Sequence, residues 1–351
     1  MAKVVIAAIG SRGDTAPLIA IGSRLQEAGH EVVMTAQSLF SDLITSCGLR
    51  VLPHDFGLGD GPTTAQEVDF GEMPNPAKAM MAFLSPKGMQ QTGETLLRAL
   101  RDEPADVLLL SPFAELAGHP LAEARGIASI GIRFQPMSTT AAFPPSILGA
   151  WQAGPAVNRL AGRFGAAAID TVYRKPVAAF RAQLGLPKVS AKRLRRRRTE
   201  AGWPVLHGFS PTVVPRPVDW RPGLDVVGYW WPPRPIGWEP PADLEQFLEA
   251  GPPPMYIGFG SLPLPRAEAA RVSELVAAAL GKAKVRGIVQ AGWANLSVDS
   301  DDVRTIGEAP HDWLFDRVGA VAHACGAGTT AAGRRAGVPA IGVPVAGDQA
   351  F

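Results

Sequence analysis

Apolar residues along this chain alternate between short continuous runs and helically spaced sets. Residues 4–9, Val-Val-Ile-Ala-Ala-Ile, form an uninterrupted apolar run. Such a run predicts a strand buried on both faces of a parallel sheet. A turn, Gly10-Ser11-Arg12-Gly13-Asp14, follows. Pro17 then suits a first helical turn, and Leu18, Ile21, Gly22 and Leu25 keep helical spacing until Gly29. Residues 31–35 predict the second strand, completing a right-handed βαβ unit. The alternation continues with strands over 107–110 and 127–132 and a helix over 116–125. Residues 57–90, rich in Gly, Pro and Met, predict a mobile loop region. Residues 141–186 predict a helical insertion with an apolar face that includes Phe164.

A second series begins near residue 240. Helices are predicted over 244–248 and 268–280, with strands over 255–259, 285–290, 303–306, 318–321 and 340–343. Between the two series the chain is dense in Pro and Trp, including Trp220, Trp230, Trp231 and Trp238. That composition predicts a stiff linker. The fold class is therefore α/β, with two open sheets: an N-terminal domain over 1–210, a linker over 211–240 and a C-terminal domain over 241–351. Ligands in such sheets sit beyond the carboxyl ends of the strands.

Composition narrows the function classes. The 351 residues are 46% hydrophobic and 19% charged, with a net charge of +2, which gives no basis for nucleic-acid binding. No window supplies the roughly 18 apolar residues of a membrane span, and the N-terminus enters a strand pattern without a signal-peptide layout. Cys47 and Cys325 are the only cysteines. They exclude a disulfide framework and fit a reducing cytoplasm. The histidines are scattered, and no metal site can be read. The run Lys192-Arg193-Leu194-Arg195-Arg196-Arg197-Arg198 reads first as a solvated face. Its functional alternative is peripheral membrane contact, worth about 1 kcal/mol per basic residue near anionic lipid.

The most telling motif is His323-Ala324-Cys325-Gly326-Ala327-Gly328-Thr329-Thr330, which joins an apolar run to an Ala-rich helical pattern. A strand, a glycine turn and a helix start make an anion site, because the first helical N–H groups lack internal partners and the dipole is positive there. A diphosphate is the expected cargo. The glycines do not keep the dinucleotide spacing Gly-x-Gly-x-x-Gly, and no Gly-Lys-Ser/Thr loop occurs.

Four stretches together resemble the UDP-glycosyltransferase superfamily of the two-domain GT-B type. They are Gly10 to Pro17, Gly258-Phe259-Gly260-Ser261, Gly307 to Leu314 with Pro310 and His311, and His323 through Asp348-Gln349. The segment His207-Gly208-Phe209-Ser210-Pro211 is most similar to the sterol glucosyltransferase branch, and the Ser-Arg-Gly-Asp turn is shared with antibiotic glycosyltransferases. The resemblance implies two Rossmann-like domains facing across a cleft. It implies an inverting, metal-independent transfer of glucose from UDP-glucose to a hydroxyl of an apolar acceptor such as a sterol. A dTDP- or UDP-sugar transferase acting on a polyketide or glycopeptide is the alternative. No cofactor is implied, since the nucleotide sugar is a co-substrate.

By the same resemblance Asp14 is the catalytic base, although an Asp here also suits capping of the following helix. Ser11, Arg12 and Gly13 reach toward the donor. Gly260 and Ser261 contact the diphosphate, as do Cys325, Gly326, Ala327, Gly328 and Thr329. Pro310 and His311 meet the nucleobase, with Trp293 a possible flank or an ordinary core residue. Asp348 and Gln349 hold donor-sugar hydroxyls. Two departures from the family stand out. Ala324 replaces a second histidine that reaches the diphosphate, a loss of about 1.5–3 kcal/mol in donor binding, which makes a UDP-binding, catalytically impaired relative a third expectation. Arg334 stands where leucine is common and would destabilise a buried face. The chain also ends at Phe351, short of the closing helices of the family, so the C-terminal domain is expected to be truncated.

Overall fold

The computed structural model describes residues 1–54, 76–149, 151, 153–345 and 347–351. It divides into two compact units, with the main chain passing from the first to the second at Ile236–Gly237. The loop reading for residues 57–75 lies outside the described residues.

In the first unit β1 (Lys3–Ala7), β2 (Glu31–Gln37), β3 (Arg50–His54), β4 (Val107–Leu110), β5 (Ala128–Arg133), β6 (Val205–His207) and β7 (Leu224–Val226) form one sheet. Their order is β3-β2-β1-β4-β5-β6-β7, every pairing parallel. Helix α1 (Arg12–Glu27) follows β1, α2 (Ser41–Ser46) precedes β3, and α5 (Glu115–Arg125) follows β4. Val5, Ala7 and Ile9 pack with Val33, Leu108 and Leu110 in one continuous core, as the unbroken apolar runs require.

Residues 76–90 correct the loop prediction, for they fall in α3 (Pro76–Leu84) and the start of α4 (Pro86–Ala99). Ser85 caps α4 by accepting the Gly88 N–H at 3.0 Å, and Pro86 occupies its first turn. Met89, Thr92, Gly93, Leu96 and Leu97 then bury one helical face. The Gly and Pro content had obscured that spacing.

The helical insertion is present as α6 (Pro155–Val172), α7 (Arg174–Gln183) and α8 (Ala191–Glu200). Most of the Pro/Trp-rich stretch, expected as a stiff linker over 211–240, is part of the first unit. Residues up to Ile236 belong to the first unit, supply β7, and bury Trp220 with Val205, Phe209 and Leu224. Three residues of strand between prolines are too short to register as a periodic pattern.

The second unit carries α9 (Ala242–Glu249), β8 (Met255–Gly258), α10 (Arg266–Ala283), β9 (Gly287–Gln290), β10 (Val303–Ile306), α11 (His311–Leu314), β11 (Ala320–His323), α12 (Ala327–Ala336) and β12 (Ala340–Gly342). Its sheet is parallel, in the order β10-β9-β8-β11-β12. Each face is covered by its own cluster, one built on Tyr256, Ile288, Phe315 and Val321, the other on Ile257, Val276, Val289 and Ala322.

Candidate active site

In the first sheet the chain leaves β1 toward β2 on one side, while β4 lies on the other. The carboxyl end of β1 is therefore a topological switch point, where open α/β sheets bind their ligands. The turn Gly10–Asp14 starts there. Ser111, buried just beyond β4, accepts the Ile9 N–H on its hydroxyl at 3.0 Å and ties the two strand ends together. Sequence reasoning missed Ser111; its one signal was its place directly after an apolar run.

Ser11 is the N-cap of α1, and Asp14 is its third residue. The Ser11 N–H donates to Asp14 Oδ2 at 2.7 Å, and the Ser11 hydroxyl donates to the same oxygen at 3.0 Å. The carboxylate is thus oriented by the helix start. Gly10 makes this possible: a Cβ there would fall 2.3 Å from Asp14 Oδ2, and its φ of +143° disfavours other residues. Capping and a chemical role draw on the same geometry, so the capping bonds do not argue against the base. Arg12 and Gly13 fall in the first turn of the same helix.

The second sheet has its own switch point between β8 and β11, where Gly258 lies opposite His323. The turn after β8 holds Gly260, at φ +60°, and Ser261; the turn after β11 holds Cys325 and Gly326. Two of the sequence-predicted donor segments therefore emerge side by side. Gly326 is the N-cap of α12, and the first intrahelical bond is Thr330 N–H to Gly326 O at 3.0 Å. The N–H groups of Ala327, Gly328 and Thr329 precede that bond and lack helical acceptors. Gly326, Ala327 and Gly328 are exposed, and a Cβ at Gly326 or Gly328 would meet nothing within 4 Å. Among the described residues, then, none crowds the Cα positions of these two glycines.

His323 is buried at the end of β11. Its Nδ1 accepts the Cys325 N–H at 3.0 Å, which puts the ring proton on Nε2. Burial also pushes its pKa below the ordinary histidine value, so the ring is a neutral brace for the turn. Cys325 sits at φ +60°, a left-handed conformation that strains a residue with a side chain, and this bond helps hold it there. Ala324 is buried and brings no polar group.

The remaining predicted residues follow strand ends of the same sheet. Pro310 is the N-cap of α11 and His311 its first residue, after β10. The His311 ring stacks on Phe315 at 4.5 Å and meets Tyr256 edge-on at 5.9 Å. Trp293 is half-buried, and its backbone N–H donates to Gly260 O at 3.1 Å. Asp348 and Gln349 lie in a short turn after β12, where Gln349 Oε1 accepts the Val345 N–H at 2.8 Å. Arg334 is exposed on α12, which removes the expected burial penalty. Asp14 belongs to the first unit, whereas Gly260 to Gln349 belong to the second.

A third cluster, unforeseen in the sequence, braces the insertion. Asp219 accepts from the Thr140 hydroxyl at 2.5 Å, the Ala141 N–H at 2.8 Å and Arg159 at 2.9 Å. These bonds, the Thr140 contact foremost, hold its carboxyl at about 2. Beside it His207 is buried and stacks on Trp220 at 4.4 Å, and burial lowers its pKa to about 4.

Comparison with known proteins places these features. The glycosyltransferase family 28 N-terminal domain matches residues 4–99. A sterol 3-beta-glucosyltransferase of Arabidopsis thaliana is 34% identical over 99% of this chain and 55% of its own length. One from Neurospora crassa is 33% identical over 99% of this chain and 23% of its own. The chain thus spans about half, or less, of these relatives. The O-mycaminosyltylonolide 6-deoxyallosyltransferase of Streptomyces fradiae is 35% identical over 99% of this chain and 82% of its own. Among solved structures, the glycosyltransferase of kitacinnamycin aligns with a TM-score of 0.63 at 18% identity, covering 99% of this chain and 82% of that one. The Arabidopsis thaliana UGT89C1 complex with UDP-L-rhamnose also gives 0.63 at 18% identity, covering 99% and 80%. With its two parallel sheets and its likeness to these transferases from end to end, the chain belongs to the UDP-glycosyltransferase superfamily and has the GT-B fold.

Proposed function

We propose that this protein transfers glucose from UDP-glucose to a hydroxyl of an apolar acceptor of the sterol class, with inversion at the anomeric carbon. The observation that carries the reading is the open first turn of α12 at the β8/β11 switch point. Three N–H groups without helical acceptors stand there, and among the described residues nothing lies within 4 Å of a Cβ built at Gly326 or Gly328. A departing UDP develops charge on its diphosphate, and donors fixed beforehand stabilise that charge without reorganising. Ser261 adds a hydroxyl from the neighbouring turn, while Asp348 and Gln349 supply acceptor and donor groups for sugar hydroxyls. In the step itself the acceptor oxygen bonds to the anomeric carbon and the bond from that carbon to the phosphate oxygen breaks. The hydroxyl proton passes to the Asp14 carboxylate. A carboxylate, with an ordinary pKa of about 3.9, is a weak base for an alcohol, so the proton moves late, once the new bond has begun to form.

The likeness to sterol 3-beta-glucosyltransferases supports this donor and acceptor pair. A second reading, a deoxysugar transferred to a natural product, is favoured by the likeness to the macrolide deoxyallosyltransferase. Assaying UDP-glucose and dTDP-sugars against a sterol and a macrolide separates the two. The expected product is a sterol β-glucoside formed from UDP-glucose. Transfer only from dTDP-sugars overturns the first reading, and UDP binding without any turnover marks an impaired relative.

A sterol acceptor resides in a membrane, and we infer peripheral contact through the basic run Lys192–Arg198 on α8. Internal pairing limits that contact: Arg195 lies 3.2 Å from Asp170, and Arg196 lies 2.6 Å from Glu200. Lys192, Arg193 and Arg197 are exposed and remain for headgroups.

A further inference from the structure

Helix α6 presents its apolar side outward. Asn158 and Gly162 are the buried residues, whereas Val157, Leu160, Phe164 and Val172 are 44%, 66%, 75% and 47% exposed. At 100° per residue these four fall on one side of the helix, with Ala161 and Ala168 between them. A soluble helix ordinarily turns that side inward.

Charge identifies what the stripe meets. Residues 155–200 hold twelve Lys or Arg and two Asp or Glu, in a chain whose net charge is +2. The rest of the chain is therefore acidic overall, and the positive charge is concentrated on α6, α7, α8 and the turn before α8, although Arg159 is paired with Asp219 and the buried Arg181 with Glu123. Both acids are already paired, Asp170 with Arg195 and Glu200 with Arg196. The Asp170 pair fastens α8 beside α6, and Arg163, Arg174 and Lys175 lie exposed on α6 and α7. A second copy of the chain would bring two such fields of like charge together, which disfavours self-association. No helix among the described residues is long and apolar enough to cross a membrane.

We propose that α6 lies in the plane of an anionic membrane surface. Its Leu160–Phe164 stripe is sunk at the boundary between headgroups and acyl chains, and the flanking basic residues rest on lipid phosphates. The inference extends the contact assigned above to α8 and does not depend on the sugar chemistry. The test is flotation of the full chain with vesicles of phosphatidylcholine alone and with about one-third phosphatidylserine, a content that makes the surface clearly negative. Binding is expected to the anionic vesicles and to weaken with salt. The double variant Leu160→Ser/Phe164→Ser should lower partitioning roughly tenfold or more, having lost two large inserted side chains. Both positions are exposed, so its thermal melt should match the parent. Hydrogen exchange of residues 157–172 should slow on anionic vesicles. The proposal is overturned if the parent binds neither vesicle, if the double variant binds like the parent, or if the parent self-associates through residues that the variant removes. Loss of sterol glucosylation in detergent, with vesicle binding intact, would reject the enzymatic reading and leave this one standing.

Discussion

Asp14 can be tested in a way that separates its two roles. Its Oδ2 accepts the N–H and hydroxyl of Ser11, at 2.7 and 3.0 Å, and so helps to start α1. Replacing Asp14 with Asn keeps an oxygen able to accept the Ser11 N–H and removes the negative charge at the helix start. That charge is worth roughly 0.3–1 kcal/mol. Replacing it with Ala removes both bonds as well, at about 1 kcal/mol or somewhat more. Against a typical stability of about 5–15 kcal/mol, neither change alters the folded fraction measurably.

The rates should behave differently. A general base contributes about 10²–10⁴-fold, and an amide cannot take the proton. Asp14→Asn should therefore lose at least about a hundredfold in transfer rate while its urea midpoint barely moves. Asp14→Ala should be as slow and measurably less stable. Ser11→Ala serves as the control, since it removes one capping bond and leaves the carboxylate. Steady-state transfer from UDP-glucose, with denaturant melts on the same preparations, decides the matter. If Asp14→Asn turns over within a few-fold of the parent, the carboxylate is only a cap and the proposed mechanism is wrong.

Other residues give sharper signs. Gly328→Asp places a carboxylate in the first turn of α12, which should leave the protein as stable or slightly more so; calorimetry should nevertheless show UDP binding at least tenfold weaker by charge repulsion, and unchanged affinity would move the diphosphate elsewhere. His207 is held neutral with a pKa of about 4. An unfolded histidine takes its proton near 6.5, so stability is full above that pH and falls by up to about 3 kcal/mol on descending to pH 4. Melts of His207→Gln across that window should lack this slope. Asp219, with its pKa of about 2, acts in the same sense at lower pH. Its stabilisation is complete above the unfolded value near 3.9 and fades as pH drops toward 2. Asp219→Asn should therefore be less stable than the parent at pH 7 and no different at pH 2.

The parts of this molecule legible in its sequence are those written in continuous apolar runs. The strands through Val5, Leu108 and Val321 were plain because a parallel strand covered on both faces needs no polar positions. The glycine turns at Gly10 and Gly326 were equally plain, since Gly10 directly follows such a run and Gly326 lies five residues after one. Helix α4 was hidden, because two buried small or polar residues, Thr92 and Gly93, stand beside Met89 and Leu96 where a periodic reading seeks large apolar ones. The Asp219 clamp joins positions 60 to 79 residues apart, and no local spacing announces such a contact. The bracing role of His323 was not legible for a related reason. Strand alternation points it away from Ala324, but the chain bends at Cys325 and brings a backbone N–H round to its ring.

The late entry of β7 into the first sheet bears on how the protein could be dissected. A fragment ending at 210 would keep β6 but lose the strand that covers its flank, together with Trp220, on which His207 stacks. Its uncovered backbone would be a template for sticking to other chains. Extending the boundary to Ile236 retains that edge strand, so preparations of the amino-terminal half should be cut there and not at the proline cluster.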